Sequence, residues 1–177
     1  EPHEYEQLER LITGDYTTEE RILLDVEVIK EDGSKHYLAV NDAVVARGQL
    51  SKTIDLHLTL DGDEISKYRA DGLLFATPTG STAYSLSAGG PILAPKMECI
   101  LMTPVCPHSL FSRSVLFSGE SELSVHVKIP EECCCVLTID GEKNVPVLAT
   151  DRVVICKSDL KLKLALLHNR NFYKLLN

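Results

Sequence analysis

Apolar and polar residues alternate with a period of two over much of this 177-residue chain. The clearest runs are residues 54–60, which end at Asp61-Gly62, and residues 123–129. Side chains two positions apart in a strand lie on the same face, so each run predicts a strand with one buried face. Residues 72–76 are continuously apolar, which is typical of a strand buried on both faces. Such strands are stable only when their apolar faces pack against a second layer.

About ten short strands with turn signals between them predict a mainly β protein, a β-sandwich with a few short helices at its ends. Asp-Gly pairs, which are typical of hairpin turns, occur at positions 32, 61 and 140. Residues 1–12 carry an apolar stripe at helical spacing, and Gly14 is placed to end that helix. Residues 81–88 predict a second short helix with a hydroxyl N-cap and a glycine stop. Residues 172–176 are compatible with a terminal helix.

The composition excludes some classes of partner. The formal net charge is −8 at pH 7, which argues against nucleic acid or an anionic membrane as the main partner. A single small anionic ligand remains compatible with this charge, because a few local donors can override the global field. The apolar runs are shorter than the ~20 residues of a membrane span, and no secretory signal precedes them. The chain begins Glu-Pro-His without a Met, which indicates a piece of a longer protein.

The six cysteines do not form a metal-binding pattern. No pair has the Cys-x-x-Cys spacing of a zinc site. The consecutive Cys133, Cys134 and Cys135 would alternate between the two faces of a strand, so they cannot converge on one ion. We therefore predict no metal site. Small apolar cysteines are typical of a reducing compartment, so we expect a cytoplasmic protein.

The segment from Asp71 to Pro91 carries the most chemical information. A buried strand leads into Thr-Pro-Thr-Gly-Ser-Thr at 77–82 and then into the second predicted helix. We expect Pro78 to fix the exit from the strand and Gly80 to adopt a backbone conformation closed to other residues. Hydroxyls and free amides at a helix N-terminus suit a phosphate or a ribose, because the helix dipole is positive there. The same hydroxyls also suit simple capping, and spacing alone leaves the two interpretations balanced.

The run at 77–91, Thr-Pro-Thr-Gly-Ser-Thr-Ala-Tyr-Ser-Leu-Ser-Ala-Gly-Gly-Pro, resembles the signature of the NAD kinase family. Further segments agree with that family in the same order: Gly14-Asp15-Tyr16-Thr17, Asn41-Asp42, Cys106-Pro107-His108-Ser109 and Ile139-Asp140-Gly141-Glu142. The resemblance therefore spans nearly the whole chain. It implies the β-sandwich carboxy-terminal domain of the NAD kinase/diacylglycerol kinase-like fold. It also implies phosphoryl transfer from ATP or polyphosphate to the 2′-hydroxyl of the NAD adenosine ribose, which gives NADP.

The resemblance also implies which residues bind NAD. They are Asn41, Asp42, Asp71, Thr79, Thr82, Ala83, Tyr84 and Ser87. Asn41 and Asp42 would bind the ribose and adenine region, Asp71 the nicotinamide carboxamide, and Tyr84 would stack on the ligand. By spacing alone, an Asn-Asp pair between strands and an Asp before Gly are more often turn residues. Tyr84 would then pack at the start of the helix.

Three more positions match the family less specifically: Lys52, Arg69 and Glu142. Arg69 matches a basic position of NAD-preferring members, which favours NAD over NADH. Lys52 matches a position used for nucleotide contact, and Glu142 is placed at the edge of the ligand. Without the resemblance, Lys52 and Arg69 would be solvated surface charges. His108 lies in a matching block, but no chemical role follows for it.

The apparatus for phosphoryl transfer has no candidate in the sequence. In the family it is a Gly-Gly-Asp-Gly-Thr loop of an α/β amino-terminal domain, which supplies the general-base Asp and holds the donor with Mg²⁺ or another divalent cation. None of the Asp-Gly pairs here follows Gly-Gly, and no Walker-type Gly-x-x-x-x-Gly-Lys-Ser/Thr occurs. We therefore expect that domain to be missing and the chain alone to be inactive, with Asp42 only in a supporting role.

The resemblance divides the chain into three parts. Residues 1–14 would form a helix leading from the missing domain, residues 15–168 the NAD-binding sandwich, and residues 169–177 a strap or helix returning to that domain. Family members share the NAD site across subunits, so we expect a homo-oligomer, a dimer or tetramer, with NAD, NADP and ATP as ligands. The alternative from another class is a non-catalytic NAD(P)-sensing oligomeric module. A lipid kinase of the same superfamily is more remote.

Overall fold

The computed structural model describes residues 5–48, 53–109, 112–129, 134–168 and 172–175. Its helices are α1 (Tyr5–Thr13) and α2 (Tyr84–Ser87), with 3₁₀ turns at Gly80–Thr82 and Phe172–Leu175. The strands found in these ranges are β1 (Thr17–Lys30), β2 (Gly33–Ala39), β3 (Asp42–Arg47), β4 (Ile54–Leu60), β5 (Asp63–Ala70), β6 (Gly72–Ala76), β7 (Cys99–Val105), β8 (Val115–Ser118), β9 (Leu123–Lys128), β10 (Cys135–Ile139), β11 (Lys143–Val147) and β12 (Arg152–Leu166).

The strands form two six-stranded sheets in which every pair is antiparallel. The first sheet has the order β2-β1-β12-β9-β4-β5, and the second has the order β11-β10-β3-β6-β7-β8. The inward faces of both sheets meet in one apolar core. The predicted mainly β sandwich with a few short helices is therefore confirmed.

The period-two pattern places alternate side chains in this core. Leu24, Val26 and Val28 of β1 are fully buried, whereas Asp25 and Glu27 between them are partly exposed. Strand β6 is buried along its whole length, as its continuous apolar run predicted. Its inner residues, such as Phe75, join the core between the sheets. Its outer residues join a smaller apolar cluster on the outer face of the second sheet.

Two strands have no counterpart among the predicted ones, and one predicted break is wrong. Strand β3 begins at Asp42. Its apolar run is short and directly follows the polar Asn41-Asp42 pair, which by spacing alone indicates a turn. Strand β11 lies at a sheet edge, with Pro146 opposite Val136. Proline has no backbone N–H, and an edge strand tolerates its absence. Strand β12 is continuous over Arg152–Leu166, whereas the separate apolar runs at 153–156 and 162–167 predict two strands. Its polar middle, residues 157–161, lies across a register shift in β1, where Lys157 pairs with Leu24 and Lys161 with Ile22.

Helix α1 confirms the predicted amphipathic helix, and Gly14 ends it at a positive φ of 77°. Its apolar residues remain open to solvent: Leu8 is 51% exposed and Ile12 is 87% exposed. The Arg10 guanidinium donates a 2.6 Å hydrogen bond to the carbonyl of Leu167, which ties α1 to the end of β12. None of the described helices is long and apolar enough to cross a membrane.

Candidate functional site

A cleft with a volume of about 420 Å³ lies on the outer face of the second sheet. Alternation along β3 turns Ala43 and Val45 into the core and Val44 towards this outer face. Strand β10 pairs beside β3, with Thr138 opposite Val44. The cleft is lined by Asn41, Asp42, Val44, Ala46, Ala83, Tyr84, Thr138, Asp140 and Gly141. It therefore combines a small apolar floor with a polar end.

Asp140 organises the polar end. It lies in the tight turn between β10 and β11 with a φ of 49°, and Gly141 follows with a φ of 72°. Its carboxylate accepts backbone hydrogen bonds from the amides of Val40 at 2.8 Å, Asn41 at 2.7 Å and Asp42 at 3.0 Å. Its own amide donates to the Asp42 carbonyl at 2.9 Å. The sequence predicted the turn but not this contact.

The loop after β6 holds the same segment from the other side. The Thr77 hydroxyl donates to the Val40 carbonyl at 2.7 Å, and the Thr77 amide donates to the Asn41 carbonyl at 2.9 Å. The Gly80 amide donates to the Thr77 hydroxyl at 3.0 Å. The amides and carbonyls of the Asn41-Asp42 segment are thus both occupied. The Asn41 and Asp42 side chains line the cleft.

Gly80 is required for a reason other than the predicted one. Its φ is not positive, so the expectation of a conformation closed to other residues is wrong. Its Cα instead packs directly on the backbone of Asn41, and an added Cβ would overlap the Asn41 carbonyl and lie 2.6 Å from the Asn41 Cα. The glycine therefore allows two backbone segments to approach closely.

Asp42 is 4% exposed, which is unusual for a carboxyl group that has no cation paired with it in the described part of the chain. Burial, followed by the negative charge of Asp140, raises the pKa of Asp42 to about 6. Near pH 6 the carboxyl is therefore divided between an ionised form, which accepts hydrogen bonds, and a protonated form, which can also donate one. Such a group suits a sugar hydroxyl, which can both donate and accept.

The hydroxyl-rich loop divides into structural and exposed groups. Thr77, Ser81 and Ser85 are buried. The Ser81 hydroxyl donates to the Pro78 carbonyl at 2.7 Å and accepts a bond from the Leu93 amide at 3.0 Å. The Thr77 and Ser81 hydroxyls therefore satisfy backbone groups, in line with the capping interpretation, whereas the Ser85 hydroxyl bonds the Thr103 hydroxyl at 3.2 Å. Thr82 and Ser87 are exposed, and the half-buried Thr79 hydroxyl accepts a 3.5 Å bond from Arg21.

The predicted single helix over 81–88 is wrong in its detail. Ala83, with φ −92° and ψ −131°, separates the 3₁₀ turn Gly80–Thr82 from α2. Neither helix has the predicted hydroxyl N-cap bond, and α2 has only four residues, so its dipole is small. The break places Tyr84 at the cleft with its ring 48% exposed. An aromatic face is thus available there for stacking.

Asp71 lies apart from the cleft, at the opposite end of β6. At ~3.3 Å per residue it is roughly 16 Å along the strand from Ala76. Its carboxylate forms a bidentate ion pair with Arg47, with an Nε–Oδ1 distance of 2.8 Å and an Nη2–Oδ2 distance of 3.2 Å. The cleft and Asp71 therefore flank one strand. Asp71 is not among the residues that line the cleft.

The less specific positions are also dispersed. Arg69 forms a bidentate pair with Asp55 across β4 and β5 of the first sheet, at 2.9 and 3.1 Å. Glu142 is exposed in the hairpin turn, next to the cleft residue Gly141. Lys52 lies outside the described residues. The structure thus gathers Asn41, Asp42, Ala83 and Tyr84, and it adds five cleft residues that were not among the predicted site residues: Val44, Ala46, Thr138, Asp140 and Gly141.

The sequence marks Asp140 as a turn residue through the Asp-Gly pair, but it does not show what the Asp140 carboxylate binds. An acidic residue before Gly in a three-residue turn does more than form the turn when its carboxylate can reach a run of free amides. The partner amides lie about a hundred positions earlier, so no local pattern reveals them. Among the described ranges, no group of three or more His, Cys, Asp or Glu could hold a metal ion.

Residues 40–167 match the family model of the ATP-NAD kinase C-terminal domain. The chain is 39% identical over 171 residues to an NAD kinase of Natranaerobius thermophilus, a match that covers 96% of the chain and 59% of the relative. It is 39% identical over 175 residues to an NAD kinase of Magnetococcus marinus, with 97% and 57% covered. The chain thus spans less than two thirds of the length of these curated relatives.

Solved structures agree with this match. A yeast NADH kinase complexed with NADH superposes with a TM-score of 0.87 at 27% identity, covering 97% of this chain and 53% of that one. An NAD kinase from Archaeoglobus fulgidus in complex with ATP superposes with a TM-score of 0.78 at 26% identity, covering 96% and 62%. On the strength of the matched segment, its fold and its relatives, this chain belongs to the ATP-NAD kinase C-terminal domain family.

Proposed function

We propose that this chain is the NAD-binding and oligomerising part of an NAD kinase, an enzyme that phosphorylates the 2′-hydroxyl of the NAD adenosine ribose to give NADP. The observation that carries the proposal is the Asn41-Asp42 pair at one end of a cleft that Tyr84 borders, with Asp42 buried. That cleft lies within the segment shared with the family.

The cleft suits an adenosine. A carboxyl and an amide side by side can bind the two neighbouring ribose hydroxyls. The Asp42 carboxylate would also polarise the hydroxyl that receives the phosphoryl group. Val44 and Ala46 form an apolar floor for the base, and Tyr84 offers its ring for stacking. Small Ala83 lets the ligand approach the backbone.

The remaining NAD contacts fit an assembly of several copies. We assign Thr79, Thr82 and Ser87, on the surface around α2, to the same dinucleotide. Because Asp71 lies apart from the cleft of its own chain, we assign it to the nicotinamide carboxamide bound by a neighbouring subunit. Arg69, Lys52 and Glu142 would contribute charge at the edge of that shared site. A homo-oligomer follows from this arrangement.

The donor half of the reaction would come from the rest of a full-length protein. We assign residues 1–14 and 169–177 to the junction with that part and residues 15–168 to the NAD-binding sandwich. The divalent cation would arrive with ATP or polyphosphate. The exposed apolar side of α1 and the 63% exposed ring of Tyr173 are suited to such a junction. A cytoplasmic location completes the proposal.

The 177-residue chain alone is expected to bind NAD but to form no NADP, because positioning of the triphosphate supplies most of the catalysis of phosphoryl transfer. The measurement is calorimetric titration with NAD and NADP, followed by an NADP assay with magnesium and ATP. NADP formation by the purified chain would contradict the assignment of the donor site to another part of the protein. Binding by a full-length protein that also lacks turnover would favour the sensing module instead.

Tyr84→Ala is expected to weaken NAD binding roughly tenfold, because stacking of a base on an aromatic ring is worth ~1–3 kcal/mol. Asp71→Ala should weaken it as well, but only under conditions where the chain is oligomeric. The exposed Tyr16, in the turn after α1, provides the control variant Tyr16→Ala, which should bind as the unmodified chain does. Equal affinities for all of these proteins would undercut the site while leaving the family membership intact.

A further inference from the structure

We propose that Asp140 is a positioning residue for the NAD site, because its carboxylate holds the Asn41-Asp42 segment in the conformation that receives the ribose. The inference rests on the proposed function, since it concerns the same cleft. Asp140 itself acts through the backbone of its neighbours and not through the reacting atoms.

Several hydrogen bonds join Asp140 to the Asn41-Asp42 segment. Three consecutive amides, of residues 40 to 42, converge on one carboxylate at distances of 2.7 to 3.0 Å. Consecutive amides of this kind form a concave anion site, and here a side chain of the same protein fills it. Hydrogen bonds to an ionised carboxylate are roughly twice as strong as neutral ones. The return bond from the Asp140 amide to the Asp42 carbonyl, at 2.9 Å, makes the contact reciprocal.

The position of Asp140 in the turn also favours Asp over other residues. Asp140 has a φ of 49°, a conformation in which Asp, Asn and Gly are favoured over other residues. Of these three, only Asp offers two charged oxygens to three donors. The side chain is therefore selected by the amides it binds as well as by the turn.

The negative charge of Asp140 also acts on Asp42. Asp42 and Asp140 are the charged residues that line the cleft. The charge of Asp140 adds to burial in raising the pKa of Asp42. Asp140 thus influences both where Asp42 lies and how readily it accepts a hydrogen bond.

The chain contains a matched control in the other sheet. Asp61 has a φ of 51° and precedes Gly62 in the turn between β4 and β5. Its carboxylate accepts the Glu122 amide at 2.9 Å, and its own amide donates to the Glu122 carbonyl at 2.9 Å. The two turns share residue types, backbone conformation and reciprocal bonding, but Asp61 does not line the cleft.

The test compares Asp140→Asn with Asp61→Asn, since Asn tolerates both the turn and the positive φ. We expect Asp140→Asn to raise the Kd for NAD about tenfold, the effect of weakening charge-assisted bonds, and Asp61→Asn to leave it unchanged. In the ligand-free proteins, carboxyl ¹³C NMR should show a lower pKa for Asp42 in Asp140→Asn than in Asp61→Asn. Asp140→Gly, which keeps the turn without strain, replaces Asp140→Asn if that variant does not fold.

The outcomes separate the two proposals. An Asp140 variant that binds NAD like the unmodified chain overturns the positioning role. So do equal losses of affinity in the Asp140 and Asp61 variants, because these would indicate a general loss of stability. Absence of NAD binding in the unmodified chain, with a normal melting transition, overturns the proposed function itself.

Discussion

Gly80→Ala is expected to lower the free energy of unfolding by about 3 kcal/mol or more and to abolish NAD binding. The added Cβ would overlap the Asn41 carbonyl, and both of the overlapping groups are backbone with little freedom to move. This overlap can be relieved only if the loop after β6 separates from Asn41. That separation breaks the bond from the Thr77 amide and opens the polar end of the cleft.

Gly89→Ala separates steric overlap from conformational preference. Gly89 has a φ of 90° and nothing within 4 Å of an added Cβ, so its substitution should cost only ~1–2 kcal/mol. Urea denaturation gives both free energies, and calorimetric titration gives NAD affinity. A Gly80 variant no less stable than the Gly89 variant would show that the close contact with Asn41 is not required.

Asp42→Asn is expected to weaken NAD binding by one to two orders of magnitude, roughly the ~1.5–3 kcal/mol of a hydrogen bond to a charged group. The affinity of the unmodified chain should rise between pH 5 and pH 7.5, because ionisation of a carboxyl with a pKa of about 6 creates the better acceptor. The affinity of the variant should stay flat over that interval. Parallel pH profiles would show that Asp42 does not bind the ligand.

The same substitution should stabilise the fold. The pKa of Asp42 is raised from 3.8 to about 6, so the folded protein holds this proton more tightly than the unfolded chain. The stability from the protonated form is fully present below pH 4 and is lost as the pH rises through about 6. At pH 8 the Asn variant should therefore gain about 1–2 kcal/mol, since solvent in the open cleft screens part of the unfavourable charge. Thermal melts at pH 4 and pH 8 measure this difference.

Much of the fold is predictable because burial sets the pattern of a sandwich strand. The alternation at 54–60 and 123–129 and the apolar run at 72–76 each became a strand at the expected place. The pattern fails where a strand is short, lies at an edge or crosses a register shift. Strands β3 and β11 and the polar middle of β12 show these three cases.

The candidate site is less predictable, because its geometry depends on contacts between distant segments. Local spacing marked the loop at 77–82 but left its hydroxyls undecided between capping and binding, and the structure divides them by burial. The prediction that Gly80 needs an unusual φ was wrong, since only the packed structure shows what lies against its Cα. Asp140 was recognised as a turn residue, and its binding partners lie 98 to 100 positions away.

The distance along the chain between Asp140 and its amide partners has a kinetic consequence. A contact that closes a loop of about a hundred residues carries a large entropic cost, which is repaid only once the intervening strands have assembled. The cleft therefore cannot form in a partly folded chain that has made only local hairpins. The ability to bind a dinucleotide therefore arises only when the sandwich closes, and chains that are still folding do not bind the nucleotides around them.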